Sequence, residues 1–424
     1  MRRLPPASLF DQAGSAIHLN EYDKLSLDGI LATLNTKFVE EISQQISPTI
    51  SFTTGDIRKF PIWENSNTVC LSQRCQDISK SDWNSYETSW NFDSHPLVSA
   101  IYRHLPLADA YVQLRGLWRT MTEEMWRLEE ENNKIFISAF NLADDLTPEV
   151  PLEKISLTCN PAYRYGSSKP EAELEELLRA ETMREFISYA VGCMFGRYSL
   201  DLPGLILANQ GDGIADYLAK VANPAYTPDV DNVIPVLDGD WFADDITERF
   251  RKFLRVALGE ERFTDNLASI EGALGKDIRR YFTRDFYNDH VKRYKKRPIY
   301  WMFSSPRGTF NALIYMHRYR PDTVSVVLNG YLREYRNKLE AERRKQEALT
   351  ISSNATQSEK TTALKEIQKL GPMIEELDEY ERETLFPLAT QKIEIDLDDG
   401  VKANYPRFGA ALKPIKGLAD VEEE

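Results

Sequence analysis

Apolar side chains recur at intervals of three and four residues along much of this chain, and this spacing constrains its fold more than any other feature. The pattern is clearest in residues 171–198, where one helical face carries Leu174, Leu177, Leu178, Phe186, Ile187, Val191, Met194 and Phe195. The same spacing predicts helices over residues 22–46, 97–142, 241–258 and 323–339. A chain of 424 residues suits two or three domains with a sizeable core. We therefore predict a mainly α-helical protein.

Three other segments indicate a minor β component, which places the chain in the α+β class. Residues 49–62 are predicted to be extended, with a turn at Gly55-Asp56. Residues 393–397 alternate apolar and acidic side chains, the period of a half-buried strand. Residues 299–317 begin with five consecutive apolar side chains and must be largely buried. Their pattern is compatible with a strand or with a helix.

Two polar stretches set the domain organisation. Residues 63–95 are rich in Ser, Asn and Trp, which predicts a linker or surface loop. After Asp322, placed as a helix N-cap, a helix becomes polar, a polar tip covers residues 349–360, and a second polar helix returns until Gly371-Pro372 breaks it. Two mostly polar helices joined by a polar tip indicate a helical hairpin that protrudes as an arm over residues 323–390.

The charge is unevenly distributed along the chain. Residues 276–320 carry 12 Lys or Arg against three Asp, a net charge of +9, so the rest of the chain carries −23 of the total of −14. Because fields of exposed charges decay over about 8–10 Å in physiological salt, a polyanion would respond to this segment rather than to the net charge. Eleven aromatic residues are interleaved with it. This combination suits phosphate contacts and base stacking, and equally a solvated basic helix face with core aromatics.

The motifs of common reaction centres are missing from the sequence. Gly275-Lys276 lacks the upstream glycine and the following Ser or Thr of a phosphate-binding loop, because Ile270 and Asp277 occupy those positions. The sequence has neither a dinucleotide-binding Gly-x-Gly-x-x-Gly nor a hydrolase Gly-x-Ser-x-Gly, and its Cys and His residues lack zinc-site spacing. We therefore predict no catalytic residue, no metal site and no cofactor site in this chain.

One tetrapeptide is similar to a catalytic box. Asn160-Pro161-Ala162-Tyr163 resembles the Asn-Pro-Pro-Tyr box with which amino-methyltransferases bind the amino group of a flipped base. The same four residue types recur at residues 223–226, neither copy has the second proline, and neither follows a glycine-rich loop. Because Asn-Pro commonly opens a turn, we interpret both copies as turns.

The remaining composition indicates a cytoplasmic protein. No run approaches the roughly 18 apolar residues of a membrane span, and no signal-peptide core follows Arg2-Arg3. The four cysteines are too few and too scattered for a disulfide framework. We expect no membrane partner.

Several longer stretches resemble one family. These stretches are residues 295–308, 310–319, 187–201, 231–235 and 395–401, with shorter matches at 34–37, 47–50, 55–57 and 61–62. They are similar, in the same order, to the C-terminal region of PglX, the adenine-specific DNA methyltransferases of bacteriophage exclusion (BREX) phage-defence systems. Family members carry an α/β methyltransferase domain with its Asn-Pro-Pro-Tyr box ahead of this region, and we expect that domain to be absent from this chain.

The resemblance implies a division of the chain and a function. It suggests the distal end of a target-recognition region at 1–62, a linker and long helical segment at 63–150, a mostly helical C-terminal domain at 151–322, the hairpin arm at 323–390, and a short strand and tail at 391–424. It implies methylation of adenine in double-stranded DNA, which marks host DNA as self. S-adenosylmethionine and the catalytic residues would belong to an N-terminal half or subunit, and other BREX proteins would be partners.

On this interpretation the basic segment grips DNA through its phosphates. The predicted phosphate contacts are Arg279, Arg280, Arg284, Lys292, Arg293, Lys295, Lys296, Arg297, Arg307 and Arg318. Tyr294, Tyr300 and Trp301 are predicted as base-stacking or core aromatics. The alternative is a non-catalytic interaction module, in which the basic segment docks an acidic protein and the arm holds a neighbouring BREX subunit.

Overall fold

The structure, a computed structural model, describes Ile17, Leu19, residues 25–46 and residues 54–418. The chain divides into two compact units, Met1–Ser89 with Tyr111–Leu178 and Trp90–Ala110 with Arg179–Glu424, called the first and second unit below. Helices dominate and one small sheet is present, so the predicted mainly α composition with minor β is confirmed. Within the described residues, every helix is too short or too polar to cross a bilayer.

The first unit is helical. It contains α1 (Leu27–Leu34), α2 (Lys37–Ile46), α3 (Thr54–Ile57), α4 (Ser66–Asn84), most of α5 (Leu107–Ala139), a 3₁₀ turn (Leu152–Lys154), α6 (Pro161–Tyr165) and the start of α7 (Glu171–Met194). Ile30, Leu34, Val39 and Phe60 form a buried cluster between α1 and α2 and the chain after α3. The helix predicted over residues 22–46 is therefore two helices, separated at Asn35, which caps the end of α1.

Helix α4 corrects the predicted loop at residues 63–95. Asn65 caps the helix, since its side chain accepts from the Thr68 amide at 2.9 Å and Thr68 Oγ1 accepts from the Asn65 amide at 3.1 Å. The buried face of α4 is mostly polar and includes Ser72 and Asp82. Asp82 accepts from the backbone amides of residues 158 and 159 at 2.7 and 3.0 Å. Apolar spacing could not reveal a helix whose buried face is polar.

The predicted extended segment at residues 49–62 is also corrected in part. Residues 54–57 form the single helical turn α3, while residues 49–53 lie outside the described part of the chain. The Gly55-Asp56 turn thus falls inside a helix. A four-residue helix is too short to show apolar periodicity.

The second unit contains the rest of the fold. Its helices are the end of α7, α8 (Ile214–Lys220), α9 (Ile246–Leu258), α10 (Phe263–Leu274), α11 (Ile278–Tyr281), α12 (Tyr287–Arg293), α13 (Thr323–Val326), α14 (Arg333–Ile351), α15 (Gln357–Tyr380), α16 (Phe386–Gln391) and α17 (Gly400–Asn404). Three π-helical segments, Phe282–Phe286, Val327–Leu332 and Glu381–Leu385, join consecutive helices. Short 3₁₀ segments are Pro96–Val98, Glu260–Arg262, Met316–Arg318, Leu397–Asp399 and Tyr405–Ala411.

The sheet of the second unit settles whether residues 299–317 are strand or helix. Strands β1 (Ile234–Pro235), β2 (Tyr300–Ser304) and β3 (Asn311–Tyr315) form an antiparallel sheet in the order β1-β3-β2. Tyr300 pairs with Tyr315 and Ser304 with Asn311, so β2 and β3 form a hairpin. Nearly every residue of both strands is buried, which explains an apolar run without alternation.

The predicted strand at residues 393–397 is wrong, although its alternation of burial is correct. Ile395 is buried while the acids on either side of it are exposed. The segment pairs with no strand in the described structure, because side chains bind its backbone instead. Tyr319 Oη donates to the Ile393 carbonyl at 2.7 Å, and Gln210 bonds the backbone of Ile395 and Leu397 at 2.8 Å each.

Helices α14 and α15 pack on each other, as expected for two consecutive helices joined by a short polar turn. The predicted break at Gly371-Pro372 is wrong, because Pro372 lies inside α15. An internal proline costs about 3 kcal/mol, yet Leu370, Ile374 and Leu377 around it are buried. Tertiary packing therefore outweighs the local preference. The protrusion of this pair as an arm stays a prediction.

Candidate nucleic-acid interface

A continuous helical segment made of α11, a π-helical segment and α12 presents the basic residues of the second unit. Asp277 caps its start by accepting from the Arg280 amide at 2.9 Å. Arg280, Arg284, Asn288 and Lys292 follow at four-residue intervals and are all exposed. In a regular α-helix the 12 positions between Arg280 and Lys292 would place the Lys292 side chain about 120° around the helix from that of Arg280. The wider π turn absorbs about one residue and brings them onto one face.

The end of α12 carries three more exposed cations. Lys295 and Lys296 have φ of 50° and 63°, the left-handed region that glycine usually occupies. The Lys296 amide donates to the Val291 carbonyl at 2.8 Å and the Arg297 amide to the Tyr294 carbonyl at 2.9 Å. Each lysine in this conformation costs about 1 kcal/mol. The hydrogen bonds fix a tight reversal that directs consecutive basic side chains into solvent.

These residues define what we call the cationic surface: Arg280, Arg284, Lys292, Lys295, Lys296 and Arg297. Among the described residues, none of the six forms an ion pair, whereas neighbouring Lys276 pairs with Asp285 at 2.7 Å. Arg280 and Arg284 also line an open cleft of about 490 Å³, whose lining includes Asp238, Asp277 and Asp285. The cationic surface therefore combines six exposed positive charges with no ion pair among the described residues, and exposed positive charge of this kind attracts a polyanion.

Two predicted phosphate contacts have internal partners instead. Arg279 Nη1 lies 2.5 Å from Asp245 Oδ2 and also donates to the carbonyls of residues 237 and 239, and its Nη2 lies 2.6 Å from Asp240 Oδ1. Arg293 lies 3.4 Å from Glu181 and is mostly buried. These hydrogen bonds and ion pairs hold the helical segment against its neighbours within the second unit. Arg279 and Arg293 are therefore not part of the candidate interface.

The prediction for Arg318 is wrong for the same physical reason. Its side chain is buried, with only 4% of the residue exposed. Nη1 donates to the carbonyls of Phe195 and Asp229 at 3.2 and 2.9 Å, and Nη2 donates to that of Val230 at 3.0 Å. Burial lowers the pKa of Arg318 from its ordinary value. The guanidinium satisfies backbone carbonyls in the core and cannot reach a phosphate from there.

The aromatics of the segment belong to the core. Tyr300 and Trp301 are fully buried, and Trp301 Nε1 donates to the Pro298 carbonyl at 3.1 Å. Trp301 packs edge-on against Tyr405, with ring centroids 5.5 Å apart. Tyr294 is partly buried, with its ring 4.8 Å from that of His290. Of the two alternatives left open for Tyr300 and Trp301, the structure therefore places both in the core.

Arg307 is exposed but lies apart from the cationic surface. It occupies the turn between β2 and β3, where Glu376 accepts from its amide at 2.7 Å and from Thr309 Oγ1 at 2.5 Å. Arg297 precedes β2, so the whole length of the strand separates the two arginines. Five residues at about 3.3 Å each give about 17 Å. Arg307 is therefore exposed but is not part of the cationic surface.

His290 connects the helical segment to the sheet. It is fully buried, and its Nε2 accepts from the amides of Ile299 and Tyr300 at 3.2 and 3.1 Å. Burial is the main cause that lowers the pKa of His290 well below its ordinary value, and the nearby Arg293 and Arg197 add to it. Burial likewise lowers the pKa of His95 to about 3. Both imidazoles are therefore neutral in the folded protein.

This neutrality predicts that acid destabilises the second unit. Below pH 6.5 the imidazole of residue 290 becomes protonated in the unfolded chain but stays neutral in the folded protein. The free energy of unfolding therefore falls as pH falls, by about 1.4 kcal/mol per pH unit for His290. Urea unfolding at pH 7, 6 and 5 measures it. His290→Gln keeps a hydrogen-bond acceptor that does not titrate. Between pH 6.5 and 5 its free energy of unfolding should therefore fall by about 2 kcal/mol less than that of the wild-type chain. An unchanged pH dependence in that variant would contradict the assignment.

The C-terminal segment adds a cation that sequence reasoning missed. Leu412 forms an isolated antiparallel bridge with Phe303, and the Lys413 amide donates to the Met302 carbonyl at 2.8 Å. Lys413 thereby lies beside the helical segment, with Nζ 5.7 Å from the centroid of the Tyr287 ring. The sequence did not reveal this position, because Lys413 lies far along the chain from the basic segment. The three-residue spacing of the buried residues Leu412, Ile415 and Leu418 was the one indication that the C-terminal segment packs against the fold.

The tetrapeptide that begins at Asn160 forms a local turn and does not fit a catalytic box. Asn160 caps α6 and is 1% exposed. Its amide nitrogen donates to the carbonyls of Leu152 and Ile155 at 2.8 and 2.9 Å, and its oxygen accepts from the Ala162 amide at 3.2 Å. Asn160 is thus committed to the turn before α6 and has no group left for a base. In the described part of the chain, no three His, Cys, Asp or Glu residues are grouped to hold a metal.

Comparison with known proteins identifies close relatives. No family model matches the chain. The chain is 37% identical to adenine-specific methyltransferase BrxX of Escherichia coli O9:H4 (strain HS), over 99% of this chain and 35% of the relative. It is 33% identical to adenine-specific methyltransferase PglX of Lacticaseibacillus casei (strain Zhang), over 98% of this chain and 34% of the relative. The resemblance found in the motifs is confirmed, and the chain spans about a third of the length of these relatives.

Proposed function

The chain is homologous, along nearly its whole length, to about one third of two adenine-specific methyltransferases, and from this we propose that it is the DNA-gripping and partner-docking part of such an enzyme in a BREX phage-defence system. The single observation that supports a DNA-contacting role is the cationic surface. Its six exposed cations lack described counter-ions in a chain whose net charge is −14.

Base methylation requires that the DNA be held in place, and a part that binds DNA without catalysing the reaction can do this. An enzyme that methylates an adenine inside a duplex must rotate the base out of the stack, and the duplex must be held while this occurs. Contacts to phosphates hold and orient DNA without reading its sequence. Arg280, Arg284 and Lys292 along the helix, with the cations after it, would supply these contacts. S-adenosylmethionine and the catalytic groups would come from a separate methyltransferase part, in the cytoplasm and alongside other BREX proteins.

A second candidate function is a docking module that never contacts DNA. The exposed apolar residues near the turn between α14 and α15 favour it, since Ile351 is 85% exposed and Leu364 is 53% exposed. Apolar side chains there could contact a neighbouring subunit. The cationic surface would then bind an acidic protein rather than a nucleic acid.

A methyl-transfer assay tests the proposal. Labelled S-adenosylmethionine and host DNA are incubated with this chain alone, and with this chain plus a polypeptide that supplies the methyltransferase part of the relatives. We expect transfer only when both are present, and a strong reduction when Lys292, Lys295, Lys296 and Arg297 are replaced by Gln. Transfer by the chain alone would overturn its non-catalytic role. Transfer that is unaffected by the four replacements would favour the docking module.

A further inference from the structure

The C-terminal segment after Ala411 is held rigidly against the sheet of the second unit. The amide of Lys413 donates to the Met302 carbonyl at 2.8 Å, and its carbonyl accepts from Tyr405 Oη at 2.5 Å. Leu412 and Ile415 on either side are buried. Because both backbone groups of Lys413 are bonded, the position of its side chain is set by the fold rather than by a free tail.

This placement brings Lys413 to the helical segment that carries the cationic surface. Its Nζ lies 5.7 Å from the centroid of the Tyr287 ring, and Tyr287 directly follows the π-helical segment that contains Arg284. Farther along, a side chain at Gly417 would approach Lys296 Nζ to 3.7 Å. The C-terminal segment therefore runs beside both the helix and the reversal that carry the cationic surface.

The arrangement is electrostatically unfavourable without an anion. Lys413 is partly buried and, among the described residues, has no acidic partner. Burial, and then the positive charge of Arg284, lower the pKa of Lys413 below its ordinary value. The face of the Tyr287 ring offsets part of this cost, and its hydroxyl is engaged with Tyr405 at 3.0 Å. A negative group beside Lys413 and the cations of the helical segment would relieve this unfavourable electrostatic energy.

We propose that Arg284 and Lys413 together bind a phosphate group of the DNA backbone, so that the C-terminal segment forms part of the DNA-contacting surface. This inference rests on the proposed function. It extends that surface to a residue nearly 120 positions farther along the chain than Arg297. A phosphate group fits, because a guanidinium and an ammonium can bind different oxygens of it, and the DNA of the proposed function supplies phosphates at regular intervals.

Replacement of Lys413 by Met tests the pair, because Met keeps the stem that covers Tyr287 and removes the charge. Loss of one phosphate contact should weaken duplex binding about fivefold at 0.15 M salt and reduce the slope of log affinity against log salt by about 0.9. The melting temperature in low salt without DNA should stay the same or rise, because a repulsion is removed. Lys365→Met removes the same charge from an exposed position on α15 and is the control that should change neither quantity.

The outcomes separate this inference from the proposed function. If Lys413 had only a structural role, the Lys413→Met variant would lose DNA affinity only if its melting temperature also fell. That result would overturn the inference. Wild-type affinity and salt slope in Lys413→Met would also overturn it while the proposed function stands. Inorganic pyrophosphate should raise the melting temperature of the wild-type chain more than that of the variant, which keeps the cationic surface but lacks Lys413. If this shift occurs while the wild-type chain binds no duplex, the anion pair is correct but its assignment to DNA is wrong, as is the proposed function.

Discussion

Replacement of Lys292, Lys295, Lys296 and Arg297 by Gln is expected to weaken binding to duplex DNA by at least about 100-fold at physiological salt. Each cation that neutralises a phosphate releases condensed counter-ions, so four lost contacts should reduce the salt slope by about 3–4. The four side chains are exposed or lie at a solvated helix end, and they form no ion pair in the described structure. Their removal should therefore leave folding intact. Fluorescence titration of a labelled duplex at several salt concentrations measures both quantities.

The matched control removes the same charge elsewhere in the second unit. Arg344, Lys365, Lys369 and Lys402 are also exposed, and replacing all four by Gln gives an identical change in net charge. We expect this control to retain DNA affinity within a few fold. Equal losses in the two variants would mean that binding responds to overall charge, and the cationic surface would then have no special role.

The second large effect concerns stability rather than binding. Arg318→Met should lower the free energy of unfolding by about 3–5 kcal/mol, because the variant leaves the buried carbonyls of Phe195 and Asp229, and the partly buried carbonyl of Val230, without their donor. Urea unfolding of the full chain measures the change. This one guanidinium joins the residue after α7, the chain before β1 and the 3₁₀ segment after β3.

Arg320 provides the comparison for Arg318. It lies two residues farther along the chain, is exposed, and makes one long hydrogen bond of 3.4 Å to the Gly211 carbonyl. Arg320→Met should cost less than about 1 kcal/mol. Similar losses for the two variants would show that Arg318 is not the buried anchor described here.

The sequence predicted those elements whose physical cause is local. Apolar spacing located α7 and the end of α9 at Leu258, which is followed by Gly259 with a φ of 96° that suits glycine. The start of α9, predicted at residue 241, lies at Ile246, where Asp245 caps the helix by accepting from the Glu248 amide. Helix α4 was missed because its buried face is polar. The strand at residues 393–397 was predicted wrongly because alternation reports burial, and pairing depends on a neighbour that local sequence does not reveal.

The same limit applies to the candidate interface. Composition identified the basic segment but could not distinguish Arg279 from Arg280, which are adjacent in sequence and opposite in environment. Arg279 is surrounded by Asp240 and Asp245 from the chain before α9, while Arg280 is exposed. Such pairings join residues about 40 positions apart and depend on the tertiary fold. Lys413 was missed for the same reason.

The π-helical segment Phe282–Phe286 also bears on how chains of this kind can vary in length. A π turn contains about one residue more than an α turn, so deleting one residue there would give a regular α-helix with both flanks still in phase. The buried side chains before and after it would stay in the core, and the basic residues would stay on the outer face. Alignments with relatives should therefore tolerate single-residue gaps at this segment, whereas a gap within α12 would turn every later side chain by about 100°.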